Sequence, residues 1–197
     1  AESSTPSGRA MDHFEYISVA ASILVALALT ELIGGWARML RARTRVRLYG
    51  LHLGWMGIVF VVLVQFWWVF WEYSAAPQWT FGMFFLVVLP PTIAVLAVAL
   101  VTPTADDLEL PDFDLRRFYF DRSRNFFLAV AAFQGVLVLQ SWTFFGLRPA
   151  IFAAQAAGVG IGVVLASTRS ERVHRAVTVL ASTVFVVHVL GARFHIQ

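Results

Sequence analysis

The apolar positions of this chain fall into six long runs separated by short polar stretches. They lie near Phe14–Met39, Leu51–Tyr73, Phe81–Val101, Phe126–Phe145, Pro149–Ser167 and His174–Ala192. Each is about 20 residues long, which at about 1.5 Å of helical rise per residue matches a hydrocarbon core of roughly 30 Å. Runs of that length predict transmembrane helices rather than the short amphipathic elements of a soluble domain. The expected fold is all-α: a polytopic membrane bundle of six transmembrane helices over 14–197, after a polar N-terminal tail over 1–13. The first ten residues, AESSTPSGRA, are small and polar. No charged segment, short apolar run and cleavage site precede the first span, so a secretory signal is not expected.

Composition agrees with one membrane domain. The 197 residues are 59% hydrophobic and 14% charged, against about a quarter charged in a soluble domain. All fifteen cationic side chains are arginine, which excludes lysine Schiff-base chemistry. The absence of cysteine excludes disulfides, thiolate metal sites and iron–sulfur clusters. A pI of 9.9 would suit a nucleic-acid binder, but the arginines sit where membrane topology wants them, so no nucleic-acid partner is expected.

Six spans place Arg38, Arg41, Arg43, Arg45 and Arg47, then Arg116, Arg117, Arg122 and Arg124, then Arg169, Arg172 and Arg175 on one side. Arg9, Arg148 and Arg193 fall on the other. Arginine accumulates on the cytoplasmic side, so both termini are expected outside. The third connection also carries Asp106, Asp107, Glu109, Asp112, Asp114 and Asp121. Its FDLRRFYF segment mixes basic and aromatic residues and is expected to lie along the inner interface.

The segment QFWWVFWEY, residues 65–73, ends the second span at the outer surface, where Trp and Tyr belts form. On an α-helix Gln65, Trp68 and Glu72 share one face, and Trp67 and Trp71 the opposite one. Trp67 and Trp71 are therefore expected towards lipid and Trp68 towards the bundle. A box for a quinone or a cationic head group is the alternative reading.

The segments FEYISVAASILVALALTELIGGWARML, VRLYGLHLGWM, FWWVFWEY, WTFGMFFLVVL and FDLRRFYFDRSRNFF together resemble a group of small bacterial six-helix integral membrane proteins with no known activity. The resemblance runs over nearly the whole chain from Met11. It implies the fold and a bacterial cytoplasmic (inner) membrane, and brings no chemistry with it.

Small residues recur every four positions in two spans: Ser18, Ser22, Ala26, Thr30 and Gly34 in the first, and Ala150, Ala154, Gly158, Gly162 and Ala166 in the fifth. Such stripes let helix backbones approach closely in lipid, so both spans are expected to pack tightly on another helix. Pro90 and Pro91 remove two N–H groups in mid-span, free the carbonyls of Leu86 and Val87, and are expected to break the third helix. Broken backbone at membrane depth must be buried in protein or line a wet cavity.

Glu31 lies about 7 Å along the helix from Trp36, inside the membrane, where a carboxylate should be paired, neutralised or wet. Arg38 lies two turns on, and His52 at a similar depth. Together they form the candidate intramembrane polar or proton site. Gln65, Trp68, Glu72, Gln134, Gln140 and His188, with Ser141, form a candidate outer polar cluster. His174 and His188 are spaced to suit axial ligands of two stacked haems. Four ligands are needed, however, and only His52 and the more exterior His13 remain. No cofactor is therefore expected, with haem or quinone as the alternative, and no metal.

No nucleophile elbow, HExxH or P-loop occurs, and the acidic loop lacks calcium-loop spacing, so no enzymatic activity is expected. The function expected is a non-enzymatic accessory or scaffold subunit of a larger membrane complex, its partners the lipid bilayer and other membrane subunits or a second copy. The alternatives are a small proton or ion channel or carrier using Glu31, His52 and the outer cluster, and a haem- or quinone-binding subunit.

Overall fold

The computed structural model describes residues 12–76, 78–146 and 148–191, except for the side chains of 184, 185 and 187–191. Six long helices dominate: α1 (His13–Arg41), α2 (Gly50–Val69), α3 (Phe81–Val101), α5 (Leu115–Phe145), α6 (Pro149–Ser167) and α7 (Glu171–Gly191). A single-turn helix, α4 (Ala105–Glu109), precedes α5, and a 3-10 segment, Phe70–Ala75, extends α2. Five of the long helices, all but α7, are long and apolar enough within the described residues to cross a membrane. The chain thus has the architecture of a helical integral membrane protein. The tail expected over 1–13 lies outside the described residues up to position 11; His13 already belongs to α1.

Local chemistry sets the helix ends. Glu15 accepts the Asp12 N–H at 3.0 Å and closes the first turn of α1. Thr80 caps α3 by accepting from the Met83 N–H at 3.3 Å, and Asp114 caps α5 through the Arg116 N–H at 2.8 Å. Gly146, at φ +70°, ends α5 in a conformation that a Cβ would strain. Pro149 then opens α6 at a position where its missing N–H has no partner to lose.

Helix neighbours run α1, α3, α5, α6, α7, α2 and back to α1, with α2 also touching α3 and α5. The core between them holds Ala21, Ala28, Leu32, Met56, Leu63, Val87, Val98, Phe127 and Leu165. The first and third connections are stitched by a parallel pair, β1 (Val46–Arg47) and β2 (Phe113–Asp114), with Val46 opposite Phe113 and Arg47 opposite Asp114. Arg116, at the start of α5, bonds Glu171, at the start of α7, through Nε at 3.0 Å and Nη2 at 2.8 Å. The three arginine-rich connections therefore share one end of the bundle.

Several expectations are corrected. The fourth long helix starts at Leu115, eleven residues before Phe126, because Asp114 caps it and Leu115, Phe118 and Tyr119 are buried. FDLRRFYF thus forms the approach to α5 and its first turns, with Phe113, Leu115, Phe118 and Tyr119 buried and Arg116 and Arg117 exposed. Pro90 and Pro91 do not break α3, which is continuous from Phe81 to Val101 with both prolines buried.

In the aromatic segment Phe66, Phe70 and Tyr73 point inward, whereas Trp67, Trp68 and Trp71 are exposed. The switch to 3-10 winding at Phe70 tightens the repeat to three residues per turn. That puts Phe70 and Tyr73 on one face and leaves Glu72 outside. Phe70 stacks on Phe14 at 5.8 Å, and Tyr73 meets Phe144 edge-on at 5.0 Å.

In α1 the buried seam is Ile17, Ala21, Val25, Ala28, Leu32, Gly35 and Met39. Ala26 and Thr30, from the expected stripe, are exposed, and Ser18, Ser22 and Gly34 are half-buried. Gly35, beside the expected Gly34, makes the close approach: a Cβ there would clash with the Thr102 methyl. In α6 the glycines do pack. A Cβ on Gly162 would lie 2.8 Å from the Ala131 nitrogen and 2.9 Å from the Phe127 oxygen, and one on Gly158 would run into the Gln134 side chain. Their partner is α5. Ala150 and Ala154 are exposed and Ala166 half-buried, so only the middle of that stripe forms the seam.

Candidate functional site

The starts of α2, α5 and α7 meet at the arginine-rich end, where they bury four aromatic or imidazole groups with polar atoms, His52, Trp55, Tyr119 and His174. His174 is fully buried. Its Nε2 lies 2.9 Å from the Thr168 carbonyl, and its Nδ1 2.7 Å from the Tyr119 hydroxyl. A carbonyl only accepts, so Nε2 carries the hydrogen and Nδ1 accepts from Tyr119. Both nitrogens are committed, which leaves His174 no lone pair for a haem iron. One turn further along α7, the Thr178 hydroxyl accepts from the Trp55 indole N–H of α2 at 2.9 Å. Phe127 packs against both Trp55 and His174, with ring centroids 4.9 and 5.4 Å away.

His52 joins this cluster from α2. Its ring meets Phe118 at 5.6 Å and Tyr119 at 6.2 Å, both edge to face. It is buried beside the Val101 backbone, and neither nitrogen makes a hydrogen bond of good geometry. It does not meet Glu31. Glu31 instead bonds Arg38, whose Nη2 lies 2.6 Å from Glu31 Oε1 and 3.3 Å from the Pro103 carbonyl. The Glu31 side chain remains 46% exposed. The candidate proton site thus divides: Glu31 and Arg38 form an ion pair along α1, and His52 sits among rings elsewhere.

Charge gathers just outside the cluster. Glu171 accepts from Arg116 and, at 2.9 Å, from Arg175. The hydrogen bond from Arg116, with both cationic charges, holds the Glu171 carboxyl below its usual range. Tyr49, which precedes α2, stacks edge-on to Tyr119 at 5.6 Å. Burial, and then the nearby Glu171 charge, push its phenol above the usual value of 10.0.

At the opposite end the expected outer cluster separates into independent ties. Gln140 is buried; its Oε1 accepts from the Tyr73 hydroxyl at 2.9 Å, and its Nε2 donates to the Leu86 carbonyl at 2.8 Å. Leu86 is the carbonyl stranded by Pro90, which explains why α3 runs on unbroken. Ser141 and Gln155 bond each other at 3.0 Å between α5 and α6. Glu72 faces Arg148 at 3.7 Å on the surface. Gln134 lies against Gly158, and Gln65 is half-buried. The His188 side chain lies outside the described residues. Among the described residues no group of three or more His, Asp or Glu could hold a metal ion.

Sequence reasoning singled out His52 and His174 separately and missed Tyr119, which joins them. The signal was available: two spans begin with a histidine in their first turns, and the FYF of a third shares their end of the bundle. Gln155 and Thr178 were also missed.

The fold and site define a helical membrane protein whose buried polar groups tie helices together. No family model, curated protein or solved structure matches the chain.

Proposed function

We propose that this protein is a non-enzymatic accessory or scaffold subunit of a larger membrane complex. In this reading it spans a bacterial inner membrane six times, with α7 as the sixth span and both termini outside. The observation that carries the reading is α6. Only Gly162 and Leu165 of its nineteen residues are buried, whereas Ala153, Ala156, Ala157 and Gly160 are exposed, and a Cβ on Gly160 would touch nothing within 4 Å. Ile151, Phe152, Val163 and Val164 are exposed on the same helix, but along Ala153, Ala156, Ala157 and Gly160 the outer surface is small enough to take another helix at close range.

The interior supports the same reading. Gln140, His174, Trp55 and Gln155 spend their polar atoms on neighbouring helices, which is what a fixed bundle needs and a conducting path does not. The carrier alternative is favoured by one observation, a buried His52 ring whose only polar neighbour is the Val101 backbone, among the described residues.

Reconstitution of the purified protein with a pH-jump fluorescence readout separates the two. The scaffold reading expects no proton flux above empty liposomes. Flux that vanishes in a folded Glu31→Gln or His52→Ala variant would establish the carrier instead.

A further inference from the structure

At the arginine-rich end, a surface groove of about 440 Å³ opens between the end of α1 and α4, lined by Arg38, Arg41, Arg45, Thr44, Leu108 and Glu109. Arg38 is already bonded to Glu31, but among the described residues Arg41 and Arg45 have no ion pair. The lining therefore presents two free guanidinium groups against the single carboxylate of Glu109. Arginine is suited to such a site, because its planar fork meets phosphate oxygens in pairs and gives up hydration more readily than lysine. Simple topological bias explains why arginines are on this side. It does not explain a concave placement of three of them, from the end of α1 and the turn that follows it, against α4.

The residues next in the chain to the groove's lining select among anions. Leu40, next to Arg41, is 70% exposed, and Leu110, next to Glu109, is 55% exposed. Apolar side chains beside a basic groove fit a ligand with a charged head and hydrocarbon tails better than a free ion. We propose that this groove binds the phosphodiester head of an anionic phospholipid, held by Arg41 and Arg45, with its acyl chains along the exposed leucines. The proposal rests on the reading that this end of the bundle lies at a membrane surface.

The test uses the whole purified protein in mild detergent, with bound lipid counted by native mass spectrometry. Phosphatidylglycerol is titrated against phosphatidylcholine of the same chains. At about fivefold per arginine contact, two contacts predict roughly 25-fold preference for phosphatidylglycerol. R41Q/R45Q should lose that preference. R169Q/R172Q removes the same charge at the same end outside the groove and should keep it, and melting curves confirm that both variants fold. Equal binding of the two lipids, or equal loss in the two variants, overturns the site. Competition by glycerol phosphate as strong as by the lipid overturns the lipid assignment in favour of a free phosphate site. The readout does not depend on membrane orientation or on companion subunits, so failure of the scaffold reading leaves its outcome standing.

Discussion

The side-chain amide of Gln140 donates to the main-chain carbonyl of Leu86 at 2.8 Å, taking the place of the N–H that Pro90 lacks. The same amide accepts from Tyr73, so one buried residue of α5 satisfies both α3 and the end of α2. Gln140→Leu should strand two buried groups, at about 1–3 kcal/mol each. Thermal unfolding in detergent checks this. Adding Pro90→Ala restores an N–H for Leu86, so the double variant should be less destabilised than the sum of the singles. Additivity within about 0.5 kcal/mol would show that the two residues are uncoupled.

Glycine substitutions in α6 should rank by what a Cβ meets. At Gly162 it meets backbone of α5, which cannot yield; at Gly158 it meets the flexible Gln134 side chain; at Gly160 it meets nothing. Gly162→Ala should therefore cost about 1–3 kcal/mol, Gly158→Ala less, and Gly160→Ala least, in melting temperature. Equal effects at Gly162 and Gly160 would remove the close α5–α6 contact.

Glu171 sets an acid limb of stability. Its carboxyl is held below the usual value of 4.5 by Arg116 and Arg175. A depressed acid contributes stability that is present above its unfolded pKa and lost as pH falls through the folded one. Unfolding temperature should thus drop as pH falls below about 4.5, and Glu171→Gln should flatten that part of the profile. Tyr49 gives the alkaline counterpart. Its raised phenol contributes stability below its usual value of 10.0 that is lost as pH rises through the folded pKa, and Tyr49→Phe should remove that loss.

Topology can be read with single cysteines, because the chain has none of its own. Cysteine at Thr44 should be shielded from a membrane-impermeant reagent in intact cells, and cysteine at Ala76 should react. Labelling of Thr44 alone would reverse the orientation.

The Glu31–Arg38 contact, half-exposed on α1, should matter little to folding. Glu31→Gln keeps a hydrogen-bonding oxygen for Arg38 and should change stability by about 1 kcal/mol. A loss of several kcal/mol in thermal unfolding would mean that the carboxylate has a partner beyond Arg38.

What the sequence makes legible here is whatever lies along one helix. The long apolar runs, the glycines of α6 and the carbonyls freed by Pro90 and Pro91 all follow from local chemistry. The partners across the bundle do not: Gln140 stands 54 residues from Leu86, and spacing in one helix says nothing about what faces it. In α1 small residues recur every four positions along the Ser18–Gly34 row and every seven at Ala21, Ala28 and Gly35, both helical spacings, and only the facing helix, where Thr102 meets Gly35, decides between them. The early start of α5 was hidden because Arg116, Arg117, Asp121, Arg122 and Arg124 interrupt its hydropathy while leaving its helical cap intact. The inward face of the aromatic segment depended on a change of winding at Phe70, which apolar residues on every side do not announce. His52 was misplaced because equal depth in two helices was read as contact.

The central claim is that this bundle serves as a subunit beside other membrane chains, offering the small outer face of α6. The most direct measurement is the mass of the particle extracted from its native membrane in mild detergent. The account predicts a stable particle in which the 21.9 kDa chain is accompanied by at least one other membrane protein in fixed ratio, and which Gly160→Leu dissociates while the bundle itself stays folded. A particle of 21.9 kDa plus detergent and lipid, unchanged by that substitution, would contradict it.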